Sequence, residues 1–401
     1  MADSLRLSTA LIHHAYQPPE GFASPQTAVH KASTVLFRDC AALRARNWKD
    51  KTGYTYGLHG TPTTFTLEER IATLEGGLQT LLVPSGLAAI VLVDTALLRA
   101  GDEVLLPENA YGPGKEFARN ELAGWGISHR LYNPSDVQQL AGMISPATKL
   151  IWLEAPGSVT MEFPDLGGLI TAAKSRGVLC AIDNTWGAGV AFNAFAIDDA
   201  AGSTVGADIV MQALTKFPSG GGDVLMGSVT TRDPILHTKL KATHMRMGWG
   251  IGGNDAELVL RSLPSLELRY AAQDESARRI ARWLTGRPEV VQVLHPALAG
   301  SPGHEHWSRT CSRAAGLFSM VFDPRYGAAQ VDAFVDSLRL FKLGYSWAGP
   351  LSLAVPYNLA ALRSKPAWAG VLVRLSIGLE AVEDLIEDLE AALDRTFQPR
   401  E

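Results

Sequence analysis

Residues 207–223 read ADIVMQALTKFPSGGGD. An apolar run stops at Thr215 and Lys216, then passes through Phe217 and Pro218 into Gly220, Gly221 and Gly222. Short apolar runs bounded by turn residues read as buried strands, whereas long-chain cations ordinarily occupy solvated faces. A lysine closing such a strand either snorkels to solvent, the usual fate of a strand-end lysine, or is kept there for its amine. Its neighbours favour the second reading. Thr215 and the SGGGD loop supply a hydroxyl and backbone groups without bulk, which suits a phosphate-bearing ligand. Desolvation lowers a lysine pKa, and the neutral amine that results attacks carbonyls to give a Schiff base.

Outward from this stretch, apolar runs alternate with helix-like segments. LLVPSG precedes GLAAIVLVDTALLRAG, DEVLLPENAYG precedes KEFARNELAGWG, TKLIWLEAPG precedes DLGGLITAAKSRG, and VLCAIDNTWGAG follows. This is the order of a mostly parallel, doubly wound α/β sheet. Strands covered on both faces need not alternate in polarity, and KLIWLE and VLCAID do not. Ligands collect beyond the carboxyl ends of such strands. Ser85, Gly86, Tyr111, Glu154, Asp183, Asn184, Thr215 and Lys216 are therefore expected at one edge. Residues 61–253 read as this large ligand-binding domain and 254–401 as a smaller α+β domain. The latter holds the helical stretch NDAELVLRSLPSLELRYAAQDESARRIARWL and the strands AGLFSMVF and VLVRLSIG. Its last helix aligns Val382, Leu385, Ile386, Leu389 and Leu393 on one face. Residues 1–60 lack periodicity and read as an arm packing on another surface.

Composition narrows the function. The 401 residues are 46% apolar and 19% charged, with a net charge of -5. This is a globular composition with no broad basic field for nucleic acid or an anionic membrane. No apolar run reaches the roughly 18 residues of a membrane span, and the opening MADSLRLSTALIHH has no leader pattern, so a cytoplasmic location is expected. Cys40, Cys180 and Cys311 are too scattered for a disulfide framework or a CxxC metal site. His304 and His306 lie two apart in a loop-like GHEHW with no third ligand, and His13 and His14 offer no better, so no metal is expected. A nicotinamide enzyme is disfavoured because no GxGxxG follows the first strands.

Four more residues carry chemistry. Asp183 closes VLCAID, 33 positions before Lys216. A carboxylate there needs a cation, and a pyridinium nitrogen is one that the carboxylate would hold protonated as an electron sink. The alternative is capping of the turn at Asn184 and Thr185. Gly86 sits at a strand-to-helix junction whose free N–H groups favour phosphate. Tyr111 closes another strand and offers a ring for stacking or an ordinary surface aromatic. Arg374 is a guanidinium within an apolar strand and requires an anion, either a structural carboxylate or a substrate carboxylate. Pyridoxal phosphate is the carbonyl cofactor that fits these residues together.

Taken together, YGLHGTPT, PSGLAAI, LPENAYGPG, LEAPGS, AIDNTWGAGV, QALTKF and VRLSIGLE, spread from about residue 55 to 393, resemble the Cys/Met metabolism family of pyridoxal phosphate enzymes. LEAPGSVTMEF, the segment around Trp186, and YSWAGPLSL are similar to its bacterial cystathionine beta-lyase branch. The resemblance implies an aspartate aminotransferase-type fold (fold type I, PLP-dependent transferase-like) and β-elimination on an amino-acid thioether, with γ-elimination or γ-replacement as the alternative. It implies that Lys216 carries the cofactor and shuttles protons, that Asp183 holds the ring nitrogen, and that Tyr111 stacks on the ring and takes part in catalysis. Gly86, Leu87 and Thr215 would contact phosphate. Arg374, Ser346, Trp347 and Tyr111 would bind substrate. Tyr56 would reach a neighbouring subunit's cofactor within a homotetramer built as a dimer of dimers. Three positions depart from the family: Leu58 stands where an arginine is common, Ala213 where a serine is, and glycine where a histidine follows the lysine.

Overall fold

The computed structural model describes residue 21, residues 26–362 and residues 368–397; His13 and His14 lie outside the described residues. Thr61 caps the first long helix, α1 (Pro62–Glu75), and Thr64 returns a bond to the Thr61 N–H, so both ends of a capping box are present. Gly76 then ends α1 in the left-handed conformation, φ 71°. The first layer continues through β1 (Gln79–Val83), α2 (Gly86–Leu97), β2 (Glu103–Pro107), α3 (Gly112–Phe117), β3 (Ser128–Tyr132), α4 (Val137–Met143), β4 (Thr148–Glu154) and α5 (Leu166–Lys174). It closes with β5 (Leu179–Asp183), β6 (Ile209–Gln212), β7 (Gly227–Thr231) and α6 (Pro234–Met247).

The strands form a 7-stranded sheet in the order β1-β7-β6-β5-β4-β2-β3. β7 pairs antiparallel with both β1 and β6, while the β6–β5, β5–β4, β4–β2 and β2–β3 pairs are parallel. The central strands are buried on both faces, as their unbroken apolar runs require. Ile151, Leu153, Cys180 and Ile182 join one cluster, and Leu150, Trp152 and Ala181 another across the sheet. Full burial of each such aliphatic side chain contributes about 1.5–3 kcal/mol.

The helical stretch after residue 253 is not one helix. α7 (Gly253–Ser262) gives way to a 3-10 turn at Leu263–Ser265 before α8 (Leu266–Leu284), because Pro264 cannot donate to a helix ladder. α7 packs Ala256 and Val259 against Leu67 and Ile71 of α1, so it belongs physically to the first layer. A 5-stranded sheet follows, ordered β8-β9-β12-β11-β10 from β8 (Val290–Leu294), β9 (Leu317–Phe322), β10 (Lys342–Leu343), β11 (Leu353–Asn358) and β12 (Val371–Ser376). Between β9 and β10 lies α9 (Ala328–Ser337). The closing helix α10 (Val382–Phe397) buries Val382, Leu385, Leu389 and Leu393, with Ile386 packed at the edge. The described part of the arm holds a short α-helix, Cys40–Arg44, and a 3-10 turn, Gly57–His59, none of whose residues is buried. Among the described residues no helix is long and apolar enough to cross a membrane.

Candidate active site

Strand ends bring the chemistry to one edge. Past β6 the chain turns so that the Lys216 N–H donates to Ala213 O at 3.0 Å and Gly220 N–H to Lys216 O at 2.9 Å. Two of the following glycines are in left-handed backbone, Gly220 at φ 66° and Gly222 at φ 74°. A Cβ on Gly220 would lie 2.3 Å from Arg269 Nη1, the atom that donates to Phe217 O at 2.8 Å. Gly220 therefore lets an arginine brace the lysine loop, which is the structural reason for glycine in SGGGD.

Lys216 is half-buried and its Nζ donates to Ser346 Oγ at 2.6 Å. Burial lowers the ammonium pKa to about 8, helped by the Arg374 charge and opposed by Asp183. A neutral amine is thus accessible near neutral pH. Ser346 holds φ 88° and Ala348 φ 68°, a conformation that costs a non-glycine residue on the order of 1–3 kcal/mol. This turn aims the serine at Lys216 and sets Trp347 with its ring centroid 5.4 Å from Nζ and 5.7 Å from that of Phe217.

Asp183 ends β5 beside Glu154, its register partner at the end of β4. Burial holds the Asp183 carboxyl above its usual range, opposed first by its bonds with Thr185 and then by the Lys216 charge. The Thr185 N–H donates to Asp183 Oδ1 at 2.9 Å, so the turn-capping alternative is realised too, yet it occupies only part of the carboxylate. The Tyr111 N–H donates to Glu154 Oε2 at 2.8 Å, which seats Tyr111 over the cavity that Asp183, Ile90 and Trp152 line. Burial and the Asp183 charge keep the Glu154 carboxyl well above the carboxylate range. The Tyr111 phenol is likewise raised, by burial first.

At the next junction Ser85 caps α2, accepting from Ala88 N–H at 3.0 Å, and its carbonyl takes Ala89 N–H at 3.1 Å. The N–H groups of Gly86 and Leu87 precede these bonds and stay free within the helix, where the helix dipole favours an anion. A Cβ on Gly86 would stand 2.6 Å from Ala213 Cβ, so the two loops meet through Ala213, the position where the family commonly has serine. The Thr215 hydroxyl donates to Met226 O at 3.2 Å and accepts from Met226 N–H at 3.1 Å, which ties it to the loop.

Arg374, on β12, is 7% exposed. Its Nη1 donates to Ser158 O at 3.2 Å and its guanidinium lies 5.4 Å from the Tyr357 ring centroid. Among the described residues no carboxylate pairs with it, and burial lowers its pKa. Of the residues expected at the site, Lys216, Asp183, Gly86, Leu87, Thr215, Tyr111, Ser346, Trp347 and Arg374 gather at this edge. Tyr56 does not; it is 46% exposed on the arm, with its hydroxyl 3.3 Å from Ser33 Oγ. Leu58 lies apart as well, lining a cavity with Lys241 and His244. Elsewhere, Pro296 O engages His304 and Arg309 engages His306.

Sequence reasoning passed over the Ser158 carbonyl that orients Arg374 and, although it placed Glu154 at this edge, the part its carboxyl plays in seating Tyr111. The second had a signal, an acidic residue ending an apolar strand. The first had none, since any residue supplies a carbonyl.

The donor set fits a phosphorylated pyridine aldehyde. Free helix N–H groups suit the phosphate, an only partly satisfied carboxyl suits a protonated ring nitrogen, and an amine of lowered pKa suits the aldehyde. The family model for Cys/Met metabolism PLP-dependent enzymes matches residues 8–394. The chain is 36% identical to the cystathionine beta-lyase of Bordetella avium, over 95% of this chain and 94% of that protein. It is 33% identical to the cystathionine beta-lyase MetC of Escherichia coli (strain K12), over 98% and 100%. Among solved structures, cystathionine gamma synthase from Xanthomonas oryzae pv. oryzae in complex with aminoacrylate and cysteine superposes with a TM-score of 0.82 at 31% identity, over 92% of this chain and 93% of that one. Edge geometry and likeness along nearly the whole chain lead to one conclusion: this protein belongs to the Cys/Met metabolism PLP-dependent enzymes, with pyridoxal 5'-phosphate as its cofactor.

Proposed function

We propose that the chain is a carbon–sulfur lyase that splits L-cystathionine by β-elimination, consuming one water and releasing homocysteine, pyruvate and ammonia. The observation that carries this is the pairing of a buried guanidinium with no carboxylate partner among the described residues, Arg374, with an amine of lowered pKa whose field it shares, Lys216. The first asks for a substrate carboxylate and the second is a base placed beside it. The bound cofactor would supply an electron sink for the pair left at Cα.

The chain's own residues do the rest. Lys216 would attach the cofactor, and the N–H groups of Gly86 and Leu87, with Thr215 at the rim, would hold its phosphate. Asp183 would keep the ring nitrogen protonated, and Tyr111 would cover the ring. Arg374 would fix the α-carboxylate with Ser346 and Trp347 shaping the cavity, so that Lys216 Nζ removes the α-proton and later returns a proton to the departing sulfur. Tyr56, exposed on the arm, would serve a neighbouring copy's phosphate in a cytoplasmic homotetramer paired from dimers. This reading is supported by the likeness to beta-lyases over nearly the whole chain.

A γ-elimination or γ-replacement enzyme shares the same Lys216, Asp183 and Arg374, and the gamma synthase likeness favours that second reading. Incubation with L-cystathionine distinguishes them by product. Pyruvate equimolar with homocysteine is the expected result, and 2-oxobutyrate with cysteine in their place overturns β-elimination.

A further inference from the structure

Glu75 is out of place by simple electrostatics. It ends α1, where the negative end of the helix dipole disfavours a carboxylate, and it is 2% exposed. Asn184 Nδ2 donates to Glu75 Oε2 at 2.8 Å. Asn184 is itself fully buried and directly follows Asp183.

The sheet register extends this contact into a layer. Asp183 pairs with Met211, and the Asn184 N–H donates to Met211 O at 2.9 Å, so Asn184 stands beside Gln212. Gln212 in turn pairs with Ser228. Side chains alternate across a sheet, so Asn184, Gln212 and Ser228 share the face opposite Asp183, the face that α1 covers. Among the described residues, Glu75 Oε1, Asn184 Oδ1, both ends of the Gln212 amide and Ser228 Oγ are buried without a hydrogen-bond partner. With Glu75 ionised, the free oxygens of Glu75, Asn184 and Gln212 are acceptors only, and among the described residues no donor reaches any of them. A proton on Glu75 turns one acceptor into a donor and makes acid and amide mutually complementary. Burial, opposed by the Asn184 bond and reinforced by the Asp183 charge, raises the Glu75 carboxyl to about 8. Of the charged groups nearby, Asp183 at the end of β5 acts on it from the other face of the sheet, and Arg232 just past β7 donates its Nε to the adjacent Gly76 O at 2.7 Å.

We propose that Glu75 is a neutral carboxylic acid and a positioning residue for Asp183: through Asn184 it fixes the peptide that carries Asp183 while adding no second negative charge behind it. Its consequence for the cofactor rests on the proposed role of Asp183; the proton on Glu75 does not.

The test compares the cofactor-loaded wild type with Glu75→Gln and Asn184→Ala. A carboxyl whose folded pKa exceeds its unfolded value stabilises fully below the unfolded pKa, and that stability is lost as pH rises through the folded pKa. The window here runs from about 4.5 to about 8. Between pH 5.5 and 8.5 the urea midpoint of the wild type should fall further than that of Glu75→Gln, which cannot titrate. Parallel midpoints overturn the proposal. So does a Glu75→Gln protein that fails to fold or to hold cofactor, because a neutral isostere would then fail where the acid succeeds. The positioning role is read from the pH titration of the cofactor's visible band. Its midpoint should stay put in Glu75→Gln and move by about one pH unit or more in Asn184→Ala; a band unmoved in both removes that role. If Asp183 does not serve the cofactor, the urea contrast persists and only the spectral shift vanishes. Should Asn184→Ala not fold, the Glu75→Gln comparison still decides the proton on which the proposal stands.

Discussion

Lys216→Ala should abolish pyruvate release from L-cystathionine. A positioned base contributes on the order of 10²–10⁴-fold, and the same amine is proposed to attach the cofactor, so kcat should fall by at least about 10⁴-fold. Lys216→Arg should do no better. It keeps a cation beside Ser346 but brings a guanidinium that does not lose its proton at working pH. Neither change should unfold the protein, because the lysine contributes a desolvated charge whose burial opposes folding. The assay is lactate dehydrogenase-coupled pyruvate release, with far-ultraviolet circular dichroism as the control on folding. Turnover within about tenfold of wild type would remove Lys216 from the chemistry.

Arg374→Gln separates binding from stability. Truncating one partner of a buried, hydrogen-bonded charge pair costs about 2–5 kcal/mol, which in kcat/KM is a loss of about 30-fold to several thousand-fold. Most of it should appear as a raised KM if the guanidinium holds the carboxylate equally in ground and transition states. The free protein should be as stable as wild type or more so. Its Arg374 is a buried charge with no carboxylate partner among the described residues, and glutamine still has a donor for Ser158 O. A structural arginine would give the reverse pattern, an unchanged kcat/KM with a lower unfolding midpoint.

Much of this was legible in the sequence because it is local. The unbroken runs of the central strands and the stripe from Val382 to Leu393 each follow from a period. Strand-end chemistry was legible for the same reason: Asp183 and Lys216 each close an apolar run, and a parallel sheet brings such ends together. What stayed hidden depends on strand order or on backbone that leaves no signature. Glu75 meets Asn184 across 109 positions, and the order β1-β7-β6-β5 that joins them to Gln212 and Ser228 cannot be read from any window of residues. Ser346 sits at φ 88° without the glycine that normally marks such a position, so nothing announced that its hydroxyl would meet Lys216. Pro264 was visible, yet the helical period runs through it on both sides and hides the break. Tyr56 lies away from the edge of its own chain, and its proposed role requires a second copy.

Borohydride reduction of the cofactor-loaded enzyme, followed by peptide mapping, tests the covalent attachment most directly. A single pyridoxyl label on the peptide carrying residue 216, lost in Lys216→Ala, is the result expected. A label on any other lysine, or none, contradicts the assignment from which the rest of the chemistry is built.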